Sequence, residues 1–166
     1  METMAIDLSG MEATQSPSTA SFEEVCDDDA LRGWLEALGA GFGILPDVAA
    51  GFGHWPRHLG YSSHSHMRAF LATRDGQPVG SSLLYLHDGV AGIYCVAVVP
   101  EARRQGIGRA LTLLPLLEAR KAGYRVGVLQ ATEMGSPVYR QIGFQPFGPV
   151  QVYFRPGAPG EDSPQH

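Results

Sequence analysis

"VVPEARRQGIGRAL", Val98 to Leu111, closes an apolar run, turns through Pro100 and opens a helix with two glycines and three arginines. A glycine-rich turn of this kind aims backbone N–H groups and the positive helix end at one place, where an anion binds. Behind it, Ile107, Ala110, Leu111, Leu114 and Leu117 recur at helical spacing, so the helix lies on a sheet, and Gly123 ends it. "VAGIYCVAVV" before the turn and "YRVGVLQA" after the helix both read as strands. A strand, a crossover helix and a strand in that order imply a parallel pair.

Working outward, "MRAFLAT" and "PVGSSLLYLH" are strand-like and joined by "RDGQ", and "HDG" turns into the strand that ends at the motif. These three form an antiparallel meander. On the C-terminal side, Ser136 to Ile142 reads as a short helix stopped by Gly143, and "FQPFGPVQVYF" closes the sheet. Upstream, "FEEV" reads as a short first strand. In "DDDALRGWLEALG", acids open a helix, Leu31, Trp34, Leu35 and Leu38 face its core, and Gly39 stops it. A short helix is expected around Asp47 to Phe52. The fold class is therefore α/β (α+β): a mixed, mostly antiparallel twisted sheet with one parallel strand pair and flanking helices. Residues 1–21 lack an apolar period and read as a flexible tail; 22–154 read as one domain, and 155–166 as a disordered Pro/Gly-rich tail. Pro115 inside the long helix is expected to kink it, at a cost of about 3 kcal/mol in a regular interior.

The 166 residues are 44% hydrophobic and 17% charged, which suits a globular domain. No run is long enough to cross a bilayer and no basic-then-apolar leader opens the chain, so a cytoplasmic protein with no membrane partner is expected. A net charge of −5 argues against a nucleic-acid partner and makes Arg103, Arg104 and Arg109 a local anion site. The two cysteines, Cys26 and Cys95, stand in no metal or redox spacing.

Three phosphate-binding turns compete for the motif. The Walker turn needs Gly-Lys-Ser/Thr, and the single lysine, Lys121, lies well beyond it. The dinucleotide fingerprint needs Gly or Ala three residues after its second glycine, where this chain has Leu111. The remaining pattern is a strand ending in Val, then Pro, then Arg-x-x-Gly-x-Gly opening a helix. That pattern resembles the acetyl-CoA loop of the GNAT acetyltransferase superfamily. "SPVYRQIGFQPFG" looks like the superfamily's second signature, and the order of elements from Met67 to Phe154 agrees with its fold. "IYCVAVVPEARRQGIGRALT" and "VLQATEMGSPVYRQIGF" look like a bacterial subgroup in which the domain often follows another segment.

The resemblance implies an N-acetyltransferase that carries acetyl from acetyl-CoA to a small-molecule or peptide amine in a ternary complex. A non-catalytic acyl-CoA sensor is the alternative. It implies that the parallel pair splays apart, with backbone groups of Val96, Ala97 and Val98 holding the thioester and pantetheine arm. Arg103, Arg104, Gln105, Gly106, Ile107, Gly108 and Arg109 then form the pyrophosphate loop. Tyr139 matches the family tyrosine that protonates the departing thiolate, a role a neutral phenol can fill. Thr132 stands where many members carry Asn near the pantetheine arm. Glu133, Asp88 and His87 read as solvated side chains, and no general base is assigned. His54, His58, His64 and His66 cluster without a cysteine or acid at ligand spacing, so no metal is expected. They could instead line an acceptor pocket with Trp55 and Tyr61. Dimers through a sheet edge or a helix are common in the superfamily, so a homodimer is compatible with the resemblance.

Overall fold

The computed structural model describes residues 1–11, 18–53 and 66–151. In chain order the elements are β1 (Glu2–Asp7), β2 (Ser21–Glu24), α1 (Asp28–Phe42), α2 (Pro46–Gly51), β3 (Met67–Arg74), β4 (Gln77–His87) and β5 (Val90–Val98). A 3-10 turn (Pro100–Ala102) follows, then α3 (Ile107–Lys121), β6 (Val126–Ala131), α4 (Ser136–Ile142) and β7 (Gln145–Pro149). Among the described residues the strands form one seven-stranded sheet in the order β2-β3-β4-β5-β6-β1-β7. Every neighbouring pair is antiparallel except β5 and β6. The meander, the crossover and the parallel pair stand as the sequence predicts.

Alternation along the central strands sends their apolar side chains to two separate cores. On one face Leu31, Trp34 and Leu38 of α1 pack on Ala69, Leu71, Leu83 and Ala97. Trp34 satisfies its indole by donating Nε1–H to the Ser82 carbonyl at 2.9 Å. On the other face Ile107, Leu111, Leu113 and Leu116 of α3 pack on Phe70, Leu84, Ile93 and Leu129. The predicted stripe is shifted at its second turn: Leu113 and Leu116 are buried, while Leu114 and Leu117 are half-buried. The helix α3 runs on through Pro115 to Lys121.

Two readings are corrected. Residues 1–21 are not simply a tail, because Glu2–Asp7 is a strand inserted between β6 and β7, with Met4 and Leu8 fully buried. The sheet therefore closes through β1, and β7 pairs with β1 rather than with β6. Gly39 does not stop α1. It lies against Ala49, where an added Cβ would stand 3.4 Å from that methyl, and the helix continues to Phe42 with Gly43 (φ 68) as its left-handed cap. His54, His58 and His64, with Trp55 and Tyr61, lie outside the described residues, as do 155–166. His66 places Nδ1 3.1 Å from the Leu86 carbonyl, and no group of metal-ligating side chains occurs among the described residues.

Candidate active site

The site grows from the place where the parallel pair parts. β5 and β6 pair at Val90↔Val126, Ala91↔Gly127 and Gly92↔Val128. Beyond Gly92, β5 runs on to Val98 and β6 to Ala131 with no ladder between them. A bulge accompanies the divergence: the β4–β5 register shifts between Ser81 and Leu83, and Cys95 takes a left-handed φ of 53. A bulged strand bends and twists more strongly than its partner. Ser81 steadies this bend by donating its hydroxyl to the Cys95 carbonyl at 3.0 Å. The result is a slot whose backbone groups lack a sheet partner, so an extended ligand can pair there as a strand would.

Val96, Ala97 and Val98 form the β5 side of that slot. The end of α1 presses on them from the face opposite α3. A Cβ on Gly41 would meet the Ala97 Cβ at 2.7 Å and the Val98 nitrogen at 3.0 Å, so only glycine fits. Arg103 locks the same junction, with Nε donating to the Val98 carbonyl at 3.1 Å and Nη2 to the Gly41 carbonyl at 2.9 Å. Its guanidinium is thus engaged by the fold itself. Gln105 is engaged too, accepting from Arg74 at 2.6 Å and donating to the Glu101 carbonyl at 3.3 Å.

The turn then alternates in hand: Arg103 is extended, while Arg104 (φ 59) and Gly106 (φ 77) are left-handed. Such alternation makes successive N–H groups converge on one concavity. The first helical bond at this end of α3 runs from Ala110 N–H to the Gly106 carbonyl at 3.0 Å, so the N–H groups of Ile107, Gly108 and Arg109 lie ahead of the ladder. No side chain among the described residues caps this end, and no acid occupies its first turn. Gly108 is not required by the turn: an added Cβ would meet only Val98 Cγ2, at an ordinary 3.6 Å. Room for a side chain exists there and the sequence leaves it empty. Arg104 is exposed and Arg109 half-buried at the rim.

Across the open end, Thr132 opens the turn that leads into α4. Its hydroxyl accepts from Gly135 N–H at 3.2 Å and its carbonyl accepts from Ser136 N–H at 2.9 Å. Tyr139 on α4 is buried, with its ring edge-on to Phe144 at 6.0 Å. The ring also leans on Gly135, where a Cβ would stand 2.9 Å from it. Burial pushes the Tyr139 phenol up to about 12, so it keeps its proton at any neutral pH. Burial likewise pushes the Cys95 thiol up to about 11, and its side chain packs toward α1. Glu133 is exposed just past β6 at the open end. His87 and Asp88 sit 3.3 Å apart in the β4–β5 turn, at the closed end where β5 begins.

Sequence reading missed two contributors. Glu2, in the segment read as tail, binds α4, and Gly41 with Arg103 seals α1 to β5. The only sequence signal for the second was "GAGFG", whose small residues permit a close backbone approach.

Comparison with known proteins agrees with this fold. Residues 65–146 match the acetyltransferase (GNAT) domain family. A mycothiol acetyltransferase from Cellulomonas flavigena is 36% identical over 110 residues, covering 58% of this chain and 31% of that protein. The chain therefore spans about a third of the length of the first curated relatives it matches. A GCN5-related N-acetyltransferase from Sphaerobacter thermophilus superposes with a TM-score of 0.72 at 22% identity, over 89% of this chain and 48% of that one. A predicted acetyltransferase from Clostridium acetobutylicum, solved with acetyl-CoA, gives 0.64 at 16% identity, over 83% of this chain and 96% of that one.

Proposed function

We propose that the chain, whose residues 65–146 match the GNAT acetyltransferase domain, transfers acetyl from acetyl-CoA to a primary amine by direct attack in a ternary complex. The observation that carries this reading is the run of β5 beyond Gly92 left without a partner on its β6 side, followed through the turn at 100–106 by a helix start that no side chain among the described residues caps. A pantetheine arm is an extended chain of amides and suits the slot. A pyrophosphate suits the converging amides of Gly106, Ile107, Gly108 and Arg109, with the Arg104 and Arg109 guanidinium groups at the rim. Arg103 and Gln105 contribute by holding the loop in shape.

Backbone N–H groups around Val96 polarise the thioester oxygen and stabilise the negative charge that develops on it during attack. The amine nitrogen bonds to the carbonyl carbon, the carbon–sulfur bond breaks, and the surplus amine proton leaves to solvent. Tyr139 passes its hydroxyl proton to the departing thiolate, so CoA leaves as the thiol, and solvent, which took the amine proton, returns one to the phenolate. Holding both reactants together supplies much of the rate, because a bimolecular encounter becomes an intramolecular one. The high Cys95 value supports direct attack, since a buried protonated thiol is a poor nucleophile for an acyl-enzyme.

The relatives' shared name makes mycothiol-related amines the first acceptors to assay, beside amino sugars, polyamines and peptide N-termini. Thiol release from acetyl-CoA is measured while both substrates are varied. Intersecting lines in the double-reciprocal plot support the ternary complex. Parallel lines contradict it, and saturable acetyl-CoA binding with no turnover on any of these amines contradicts the enzyme reading.

A further inference from the structure

The helix α4 is seven residues long, has no side-chain cap hydrogen bond at its own N-cap and carries Tyr139. So short a helix does not hold its own shape in water, and something outside it must fix the tyrosine. The inner face is fixed by Phe144 and Gly135. The outer face is fixed by β1. Glu2 accepts from Arg140 Nη2 at 3.2 Å through Oε1 and at 3.0 Å through Oε2. The Ser136 hydroxyl donates to Glu2 Oε2 at 3.3 Å, and Arg140 Nε donates to the Ser136 hydroxyl at 3.2 Å. One carboxylate thus grips residues one turn apart, with Tyr139 between them in sequence and about a quarter-turn round the helix. Behind α4, Gly143 (φ 114) turns the chain into β7, whose pairing in the described sheet is with β1 alone. Val150 N–H adds a bond of 2.9 Å to the Met1 carbonyl. Both ends of the tyrosine helix are therefore moored to the first strand.

We propose that Glu2 is a positioning residue for Tyr139, acting through Ser136 and Arg140. The proposal rests on the reading of Tyr139 as the group that meets the leaving sulfur. The Arg140 and Glu2 side chains are 50% and 34% exposed, so solvent screens the pair and its effect is a trimming of geometry.

The test uses the full chain and follows CoA thiol release from acetyl-CoA with the amine that turns over fastest in the acceptor screen. Glu2→Arg lowers kcat about fivefold and leaves the acetyl-CoA KM within about twofold, as loss of one screened ion pair allows. Adding Arg140→Glu to Glu2→Arg restores most of the rate. In a Tyr139→Phe background, Glu2→Arg costs nothing further, because the two act on one group. An unchanged kcat in Glu2→Arg, beside a slow Tyr139→Phe, overturns the proposal and leaves Tyr139 in place. A wild-type rate in Tyr139→Phe removes Tyr139 and the proposal with it. A Glu2→Arg loss that adds in full to that of Tyr139→Phe, or that the reversed pair does not restore, marks a general structural role and also overturns it. Amide exchange in the same chains gives a second readout. Protection over 136–142 falls in Glu2→Arg, returns in the reversed pair and stays constant in α3, whereas unchanged protection over 136–142 contradicts the mooring.

Discussion

Two helices of the same length begin in opposite ways. α1 starts with Asp27, whose carboxylate accepts from Ala30 N–H at 2.8 Å, and carries Asp28 and Asp29 in its first turn. The positive end of that helix is neutralised by its own chain. α3 starts with Gly106 and Gly108, no capping side chain and no acid, between a left-handed turn and the open end of the strand fork. The difference separates structure from function. At α1 the sequence supplies the anion; at α3 it leaves both charge and space unfilled, as the proposed acetyl-CoA site requires.

Giving α3 an acid of its own is the sharpest way to break the contrast. Gly108→Asp puts a carboxylate in the first turn, where helix propensity and the dipole stabilise the chain by about 0.5–1 kcal/mol. The same change sets a negative charge against the phosphates and lowers acetyl-CoA affinity by about 100-fold. Stability and affinity then move in opposite directions, checked by thermal melts and calorimetry. A loss of both together means that Gly108 serves packing. Tyr139→Phe, which leaves the loop intact, lowers kcat by about 30-fold with an unchanged acetyl-CoA KM in steady-state assays. Asp27→Ala is the mirror at α1: it costs about 1 kcal/mol in urea melts and leaves acetyl-CoA affinity as it was.

The smallest effect is in pH. The folded Tyr139 value is raised to about 12 from an ordinary 10.0 by burial, so the native state keeps a proton that the unfolded state gives up. Its contribution to stability is complete below about pH 10 and is lost as pH rises toward 12. Urea midpoints of wild type fall more steeply than those of Tyr139→Phe across that window, and equal slopes contradict the burial of the phenol.

The elements around the loop were legible because their signals are local. Proline after a valine-rich strand, glycines at the helix start and a stripe at 3.6-residue spacing are written within a few turns of chain. The first strand was not legible, because "ETMAID" buries only Met4 completely and carries acids at both ends. Its strand character comes from partners more than a hundred residues away, Val126 to Ala131 and Gln145 to Pro149. Arg103 shows the same limit at the level of one side chain. Its place in the motif suggests a phosphate ligand, yet the carbonyl of Gly41 reaches it first through tertiary folding. The stop of α1 was misplaced for a related reason: Gly39 is small to admit Ala49, and the turn needing a left-handed residue falls at Gly43.

The central claim is that the open start of α3 and the fork beside it hold acetyl-CoA. Calorimetric titration of acetyl-CoA into wild type and Gly108→Trp tests it most directly. Micromolar binding by wild type, lost in a Gly108→Trp chain that melts within a few degrees of it, is the predicted result. Equal affinity in the two proteins, or no heat from a fully folded wild type, would contradict it.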